Sequence, residues 1–515
     1  MNEKLKYILN SYNLSYFIII IFSVFFYLIQ HPFESIFSNY DQEFWNSYHA
    51  IILYSGYEQE LFNDPAHVNY LLLSFFYKIL DFFNIYNIQK IDDLNKSSEF
   101  IIKINEIVII ARFFGLVIST FLYLIILKIY QEFKLENVLL VTIALITCNG
   151  YLLHLSQYRV EPMTLLLFLF SFYHLILFIK KGKKKLIHLF LFNLFLILSA
   201  INKVQILFYA PIYILLILLY NKDKIDFKKI FLKFKNYNNV FFLKFIITIF
   251  LIFILIFFRS EIPHSILFLN IFFLSYLFVL IIIFCNDNFF EIIYKNNFLL
   301  LIAFLIIYFI TVYVTKGTQE IFWGFFRISK IRGYLGSSEL GQSENTLLWI
   351  KDFFIFGLNN LITNIKSFFN LDLYNYIIYL ILLLIFLKKN KNLFIFLLPI
   401  LCFFILRYIT IFRGFHNYYQ IYFDWFIILT LGLILNKKKI NHSLKKLIIL
   451  SVIFFNLIFN FNSYNLKNIN SNFFDTKHYC SQKEIFHPYG AWTYFSKKIN
   501  KDKIIELCKY YDSSL

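Results

Sequence analysis

Residues 14–28, 240–258, 266–284 and 299–314 are long apolar runs with almost no charge, close to the ~20 residues that cross a bilayer as a helix. Because the runs are continuous, a β-barrel is excluded, since its strands alternate lipid-facing and lumen-facing residues with period two. In lipid a helix satisfies its own backbone polar groups, so these runs read as spanning helices. Composition agrees: 59% of the 515 residues are hydrophobic, 16% are charged, and the mean hydropathy is +0.65. A soluble fold of this length cannot hide that much apolar surface. The many Phe, Ile, Tyr, Asn and Lys residues match a bias toward AT-rich codons and carry no functional message.

A net charge of +18 would suggest nucleic acid in a soluble chain. Here the lysines fall in short clusters between apolar runs, where they orient helices. Lys4 and Lys6, 180–185, 222–235, 388–391 and 437–446 are therefore expected in the cytoplasm, with even numbers of crossings between them. Candidate spans fall near 14–30, 107–127, 138–155, 162–179, 186–200, 204–220, 240–258, 264–285, 297–315, 374–387, 393–411, 419–435 and 447–462, about 13 in all. Run 14–28 has no small-residue cleavage site after it and reads as the first anchor. The expectation is an all-α polytopic membrane protein in a bacterial inner (plasma) membrane. Residues 1–462 form the transmembrane domain, with outer loops at about 31–106 and 316–372, and 463–515 form a short external tail. Cys480 and Cys508 both lie in that tail, where oxidation can pair them.

The first outer loop reads NYDQEFWNSYHAIILYSGY over 39–57, an acidic opening followed by an amphipathic, aromatic stretch expected to lie on the membrane as a helix. Asp41 would share a helical face with Trp45 and Tyr48, and Glu43 would point elsewhere. Asp64 before Pro65 predicts the start of a second loop helix running to about Phe83; Asp64 serves as its N-cap, as a site residue, or as both. His67 reads as a packed loop histidine rather than a metal ligand. Cations in the outer turns run against the lysine bias: Arg159 with Glu161, Lys203, Arg407, Arg413 and His416. Each alone reads as a snorkelling or locally paired residue; together they suggest an anion site. The second outer loop adds Lys316, Arg327, Lys330 and Arg332, then a Gly/Ser-rich stretch over 333–341 able to close over a ligand. Walker, dinucleotide-binding, CxxC and HExxH motifs are absent from the sequence, removing the usual signatures of nucleotide-driven transport, dinucleotide chemistry and zincin proteolysis.

The order of these features resembles the polytopic, lipid-sugar-dependent glycosyltransferases of the C-type (GT-C) fold, which include protein mannosyltransferases and lipid A aminoarabinose transferases. Asp41, Gly56 and Pro65 match a first-loop acid, the glycine ending an amphipathic helix and the proline opening a second. Ser156 to Glu161 (SQYRVE) resembles the polar turn before the fourth helix, Lys203 and Pro211 a lysine followed by a proline-bearing helix, and Arg413 to Gln420 (RGFHNYYQ) a late aromatic segment that includes Tyr419. The match covers most of residues 1–435. Where many relatives carry adjacent Asp-Glu, this chain has Asp41-Gln42-Glu43.

The resemblance implies transfer of a sugar, with inversion, from a polyprenyl-phosphate donor to a hydroxyl of a lipid, glycan or protein acceptor on the outer face of the membrane. Asp41, with Glu43 beside it, would supply the catalytic carboxylate. Asp64, Arg159, Glu161, Lys203, Arg413, His416 and Tyr419 would line the substrate and phosphate site. A divalent metal is possible, although the loop's carboxylates lack a clear ligand spacing. Three other classes fit the same outline: a lipid-linked saccharide flippase or other transporter, an O-antigen polymerase or ligase acting through its late outer loop, and a noncatalytic membrane scaffold.

Overall fold

The computed structural model describes residues 3–29, 43–57, 66–181, 186–203, 206, 209, 212, 213, 216, 398–402, 417–436, 441–467, 498–500, 502 and 503. Among these residues the chain is entirely helical. Its helices are α1 (Glu3–Ile29), α2 (Glu43–Tyr54), α3 (His67–Phe82), α4 (Ile91–Lys96), α5 (Phe100–Glu132), α6 (Val138–Ile146), α7 (Asn149–Ser156), α8 (Glu161–Lys181), α9 (Leu186–Asn202), a 3-10 turn (Asn417–Gln420), α10 (Ile421–Leu435) and α11 (His442–Lys467). They fall into two compact units. The first takes the described residues up to 166 and from 417 onward, and the second those at 167–216 and 398–402.

Three helices among the described residues are long and apolar enough to cross a membrane, in α1, α5 and α8, and a bent pair, α6 with α7, makes a fourth if taken as one span. Of the other nine expected crossings, those at 186–200, 419–435 and 447–462 fall on α9, α10 and α11, and those near 204–220, 240–258, 264–285, 297–315, 374–387 and 393–411 lie wholly or mostly outside the described residues. Membrane character is visible on the surface of α1. Leu14, Phe17, Ile21, Val24, Phe25 and Leu28 form an exposed apolar stripe, while Tyr12, Ser15, Ile19, Ser23 and Phe26 face inward. An outward apolar face with polar groups turned in is the arrangement that lipid favours. In the second unit, α8 and α9 pair through Ser171 Oγ, which donates to the Phe192 carbonyl (2.8 Å), and through the rings of His174 and His188, whose Nδ1 atoms lie 3.0 Å apart.

The expected continuous span over 138–155 is broken. Helices α6 and α7 meet at 61° across Thr147 and Cys148, because Cys148 is extended (φ −67°, ψ 147°) and begins a new helix. Such a break frees backbone groups that lipid cannot satisfy, and two polar side chains from distant helices take them. Asn456 of α11 donates to the Ala144 carbonyl (2.9 Å) and to Thr147 Oγ1 (3.1 Å). Asp424 of α10 accepts the Gly150 N–H at 2.8 Å. Gly150 is required there, since a Cβ would lie 2.6 Å from both Asp424 Oδ2 and the Ile421 nitrogen.

At one end of the first unit, Tyr12 of α1 reaches the carbonyls of Tyr130 and Leu135 (3.4 Å each). At that same end Asn436 donates to the Lys134 carbonyl (2.9 Å) and accepts the Glu136 N–H (2.8 Å), and Lys445 pairs with Glu136 (2.9 Å). At the other end lie α2 to α4, the α7–α8 turn and residues 498–503. Helix α5 has 33 residues, about 50 Å, against the ~30 Å of bilayer hydrocarbon. Its first turns are a post for the loop helices α2 and α4, with Glu106 bound to Lys103 (3.0 Å) and to the Tyr86 hydroxyl.

Gly150→Ala is expected to destabilise the first unit by ~1–3 kcal/mol through overpacking, and Asp424→Ala by ~1–3 kcal/mol through an orphaned buried N–H. Gly56→Ala, in open space but at φ +87°, should cost about 1 kcal/mol. Thermal unfolding in detergent gives the order.

Candidate functional site

Helix α2 begins at Glu43 and ends in a left-handed glycine. The Gly56 N–H bonds the Leu53 carbonyl and the Tyr57 N–H reaches back to that of Ile52 (3.0 Å), a closure in which glycine carries the positive φ. The turn directs the chain toward α3, and α2 and α3 pack together over α5. Tyr48, Ala50, Ile51 and Ile52 are buried, as are Tyr70, Leu73 and Tyr77 of α3, so α2, expected to lie on the membrane, is packed against a second helix.

A single carboxylate fastens this pair to the bundle. Glu43 Oε2 accepts from Arg112 of α5 at Nη2 (2.9 Å) and Nε (3.1 Å), and Glu43 Oε1 accepts the Tyr158 N–H at 2.7 Å. Glu43 is 1% and Arg112 3% exposed. Charges so placed persist only when paired and hydrogen-bonded, and here the partners come from the loop, a spanning helix and the α7–α8 turn. Asn69 of α3 adds a bond from Nδ2 to the Tyr158 hydroxyl oxygen (2.8 Å), and Ala66 and Tyr70 pack on Val160. Gly115 leaves room for this turn, its Cβ position lying 3.4 Å from the Gln157 carbonyl and Tyr158 Cα.

The same turn holds Arg159 and Glu161, both buried, joined Nε to Oε2 at 3.3 Å. These two form the local pair anticipated as one reading of the sequence, at the spot where the first loop docks. Behind Glu43 on α2, Asn46 is buried and its Nδ2 has no hydrogen-bond partner among the described residues. His49, fully buried, stacks on Tyr70 with centroids 5.0 Å apart. Burial, then the field of His67, lowers the His49 imidazole from 6.5 to about 3. Burial, then neighbouring Tyr77, pushes the Tyr158 phenol well above its ordinary value, so it stays a neutral hydroxyl.

Of the other expected site residues, Tyr419 is buried in the 3-10 turn before α10, 6.5 Å from the Tyr422 ring. Lys203 is buried in the second unit, directly after α9. Asp41, Asp64, Arg413 and His416 lie outside the described residues, as does the Cys480 to Cys508 pairing. Among the described residues no cluster of three or more His, Cys, Asp or Glu is arranged to hold a metal.

Three residues central to this geometry drew no attention in the sequence: Arg112, Asp424 and Asn456. Their signal was their setting. Arg112 and Asp424 are ionisable residues inside apolar spans, which by itself demands a partner or a role. Helix content, apolar exposed faces and buried, paired charges among the described residues define a membrane-embedded, helical class of protein in which α2 is tied to α5 by an ion pair. None of the family models, curated proteins or solved structures compared with this chain matches it.

Arg112→Met, which strands the Glu43 carboxylate, should cost ~3–5 kcal/mol, and adding Glu43→Gln should recover part of that loss; a double-mutant cycle by thermal unfolding reads the coupling. For His49, the unfolded imidazole binds a proton below about 6.5 while the folded one stays neutral down to about 3. Its contribution is thus complete above pH 6.5 and lost as pH falls toward 3, by at most ~1.4 kcal/mol per pH unit. His49→Phe should flatten that part of a stability curve measured between pH 7 and 4.

Proposed function

We propose that this chain is a membrane glycosyltransferase that moves a sugar from a polyprenyl-phosphate donor to a hydroxyl acceptor, with inversion, at the membrane's outer face. The observation that carries the reading is the Glu43 anchor. It joins the acidic start of the first loop to the polar turn at Tyr158 to Glu161, two of the features that carry the resemblance to the C-type fold.

In this reading the two first-loop carboxylates divide their work. Both Glu43 oxygens are engaged by Arg112 and the Tyr158 N–H, so Glu43 is a positioning residue. Asp41, two residues earlier in the sequence, is the base. The acceptor oxygen attacks the anomeric carbon as its proton passes to Asp41, and the bond from that carbon to the phosphate oxygen breaks toward the lipid phosphate. The charge developing on the leaving phosphate calls for fixed cations in a water-poor cleft, the role of Lys203, Arg413 and His416. The Asn46 amide is a candidate donor to a substrate oxygen, because a buried donor without a protein partner invites one from a ligand or water.

Radiolabelled polyprenyl-phosphate sugars offered to membranes test the assignment. Wild type should move label into a lipid, glycan or protein acceptor, and Asp41→Asn should lose about a hundredfold or more at unchanged protein level. Turnover near wild type in Asp41→Asn would remove Asp41 as base. A second reading, a lipid-linked saccharide flippase, draws on the broken α6–α7 helix with its buried Asp424, since interrupted helices mark transporter sites. It predicts translocation of labelled lipid-linked saccharide in reconstituted vesicles without any transfer.

A further inference from the structure

The C-terminal segment does not hang free of the first outer loop. Asn95, at the end of α4, grips it with both ends of its amide: Nδ2 donates to the Lys498 carbonyl (2.7 Å), and Oδ1 accepts the Asn500 N–H (3.0 Å). This two-point bond is what a neighbouring strand would make, supplied instead by one side chain. The Lys498 N–H donates to the Tyr48 hydroxyl of α2 (3.1 Å). The Lys498 ammonium sits 4.4 Å from the centroid of the Tyr57 ring, and the Tyr57 hydroxyl donates to Asp92 of α4 (2.7 Å). Ile499 between the gripped residues is buried, and Lys503 lies 5.8 Å over Phe100 at the start of α5.

We propose that Lys498–Asn500 is a positioning strap for the first outer loop, clamped by Asn95 and acting through Tyr48 on α2. The segment touches α2, α4 and the start of α5 at once, so it ties together the three elements that frame the loop. The strap adds a third tie to α2: its N-terminus is fixed by Glu43, its last residue Tyr54 donates to the Ile88 carbonyl (3.1 Å), and Tyr48 between them takes the Lys498 N–H. Asn95 is a positioning residue in this account, since it acts on α2 only through the strap. That the strap orders α2 stands by itself; that ordering α2 serves sugar transfer rests on the function proposed above.

Hydrogen exchange on the full-length protein in nanodiscs, followed by mass spectrometry, tests it. Asn95→Ala should speed exchange of the α2 amides about fivefold or more while those of α5 beyond its first turns keep wild-type rates. Asn95→Asp keeps the acceptor for the Asn500 N–H and loses the donor to Lys498, and should fall between the two. Tyr48→Phe should speed α2 without releasing 498–503. Unchanged α2 exchange in Asn95→Ala, or equal acceleration throughout α5, would overturn the strap. In the transfer assay Asn95→Ala should lower kcat with donor KM unchanged. Faster α2 exchange in a chain that transfers no sugar would retain the strap and reject the transferase.

Discussion

Everything at the loop end of this protein depends on one ion pair that lipid and packing have stripped of water. Arg112 could not sit unpaired in a spanning helix, and Glu43 could not be buried without a cation. Each makes the other possible, and the shared cost of desolvation is offset in part because Glu43 also takes the Tyr158 N–H. The pair thereby selects one arrangement of loop, helix and turn. A pair of this kind is weak evidence for high stability, but it specifies register well, because any slip of α2 leaves two buried charges unmatched.

The break between α6 and α7 obeys the same rule with backbone groups. A kinked helix in lipid exposes carbonyls at the end of its first half and N–H groups at the start of its second, and both must find partners within the protein. Asn456 and Asp424 supply them from α11 and α10, helices far away in the chain. The C-terminal helices are therefore the other half of the N-terminal ones. The end of α10 is fixed by Asn436 on Lys134 and Glu136, and residues 498–500 meet Asn95 at the opposite end of the unit.

Apolar runs and lysine clusters are strong signals because lipid imposes them residue by residue, so α8, α9 and α10 were readable within a few residues, and α1, α5 and α11 as the apolar parts of longer helices. Gly56 was readable for a similar local reason, but the start of α3 was not: Asp64 before Pro65 predicts the N-cap there, whereas α3 begins at His67 with Ala66 at its N-cap and no side-chain cap. The α6–α7 break was not readable either. Thr147 to Gly150 is an unremarkable sequence whose kink is decided by Asp424 and Asn456, some 270 to 310 positions away. Glu43 was marked as a chemical group, and its burial against Arg112 turns it into an anchor. That distinction rests on which helix faces the loop, a tertiary fact that no local pattern carries. The strap was invisible for the same reason, since Asn95 and Lys498 are ordinary surface residues until they meet.

The central claim is that Glu43 holds the loop while Asp41 does the chemistry. The most direct measurement is the rate of sugar transfer by the double variant Glu43→Gln/Arg112→Met, normalised to folded protein. In that variant the buried charges are removed together and the Tyr158 N–H keeps an acceptor. The account predicts transfer within about tenfold of wild type, a loss of ~1.4 kcal/mol in barrier terms. Complete loss of transfer from a well-folded double variant would contradict it and make Glu43 part of the chemistry.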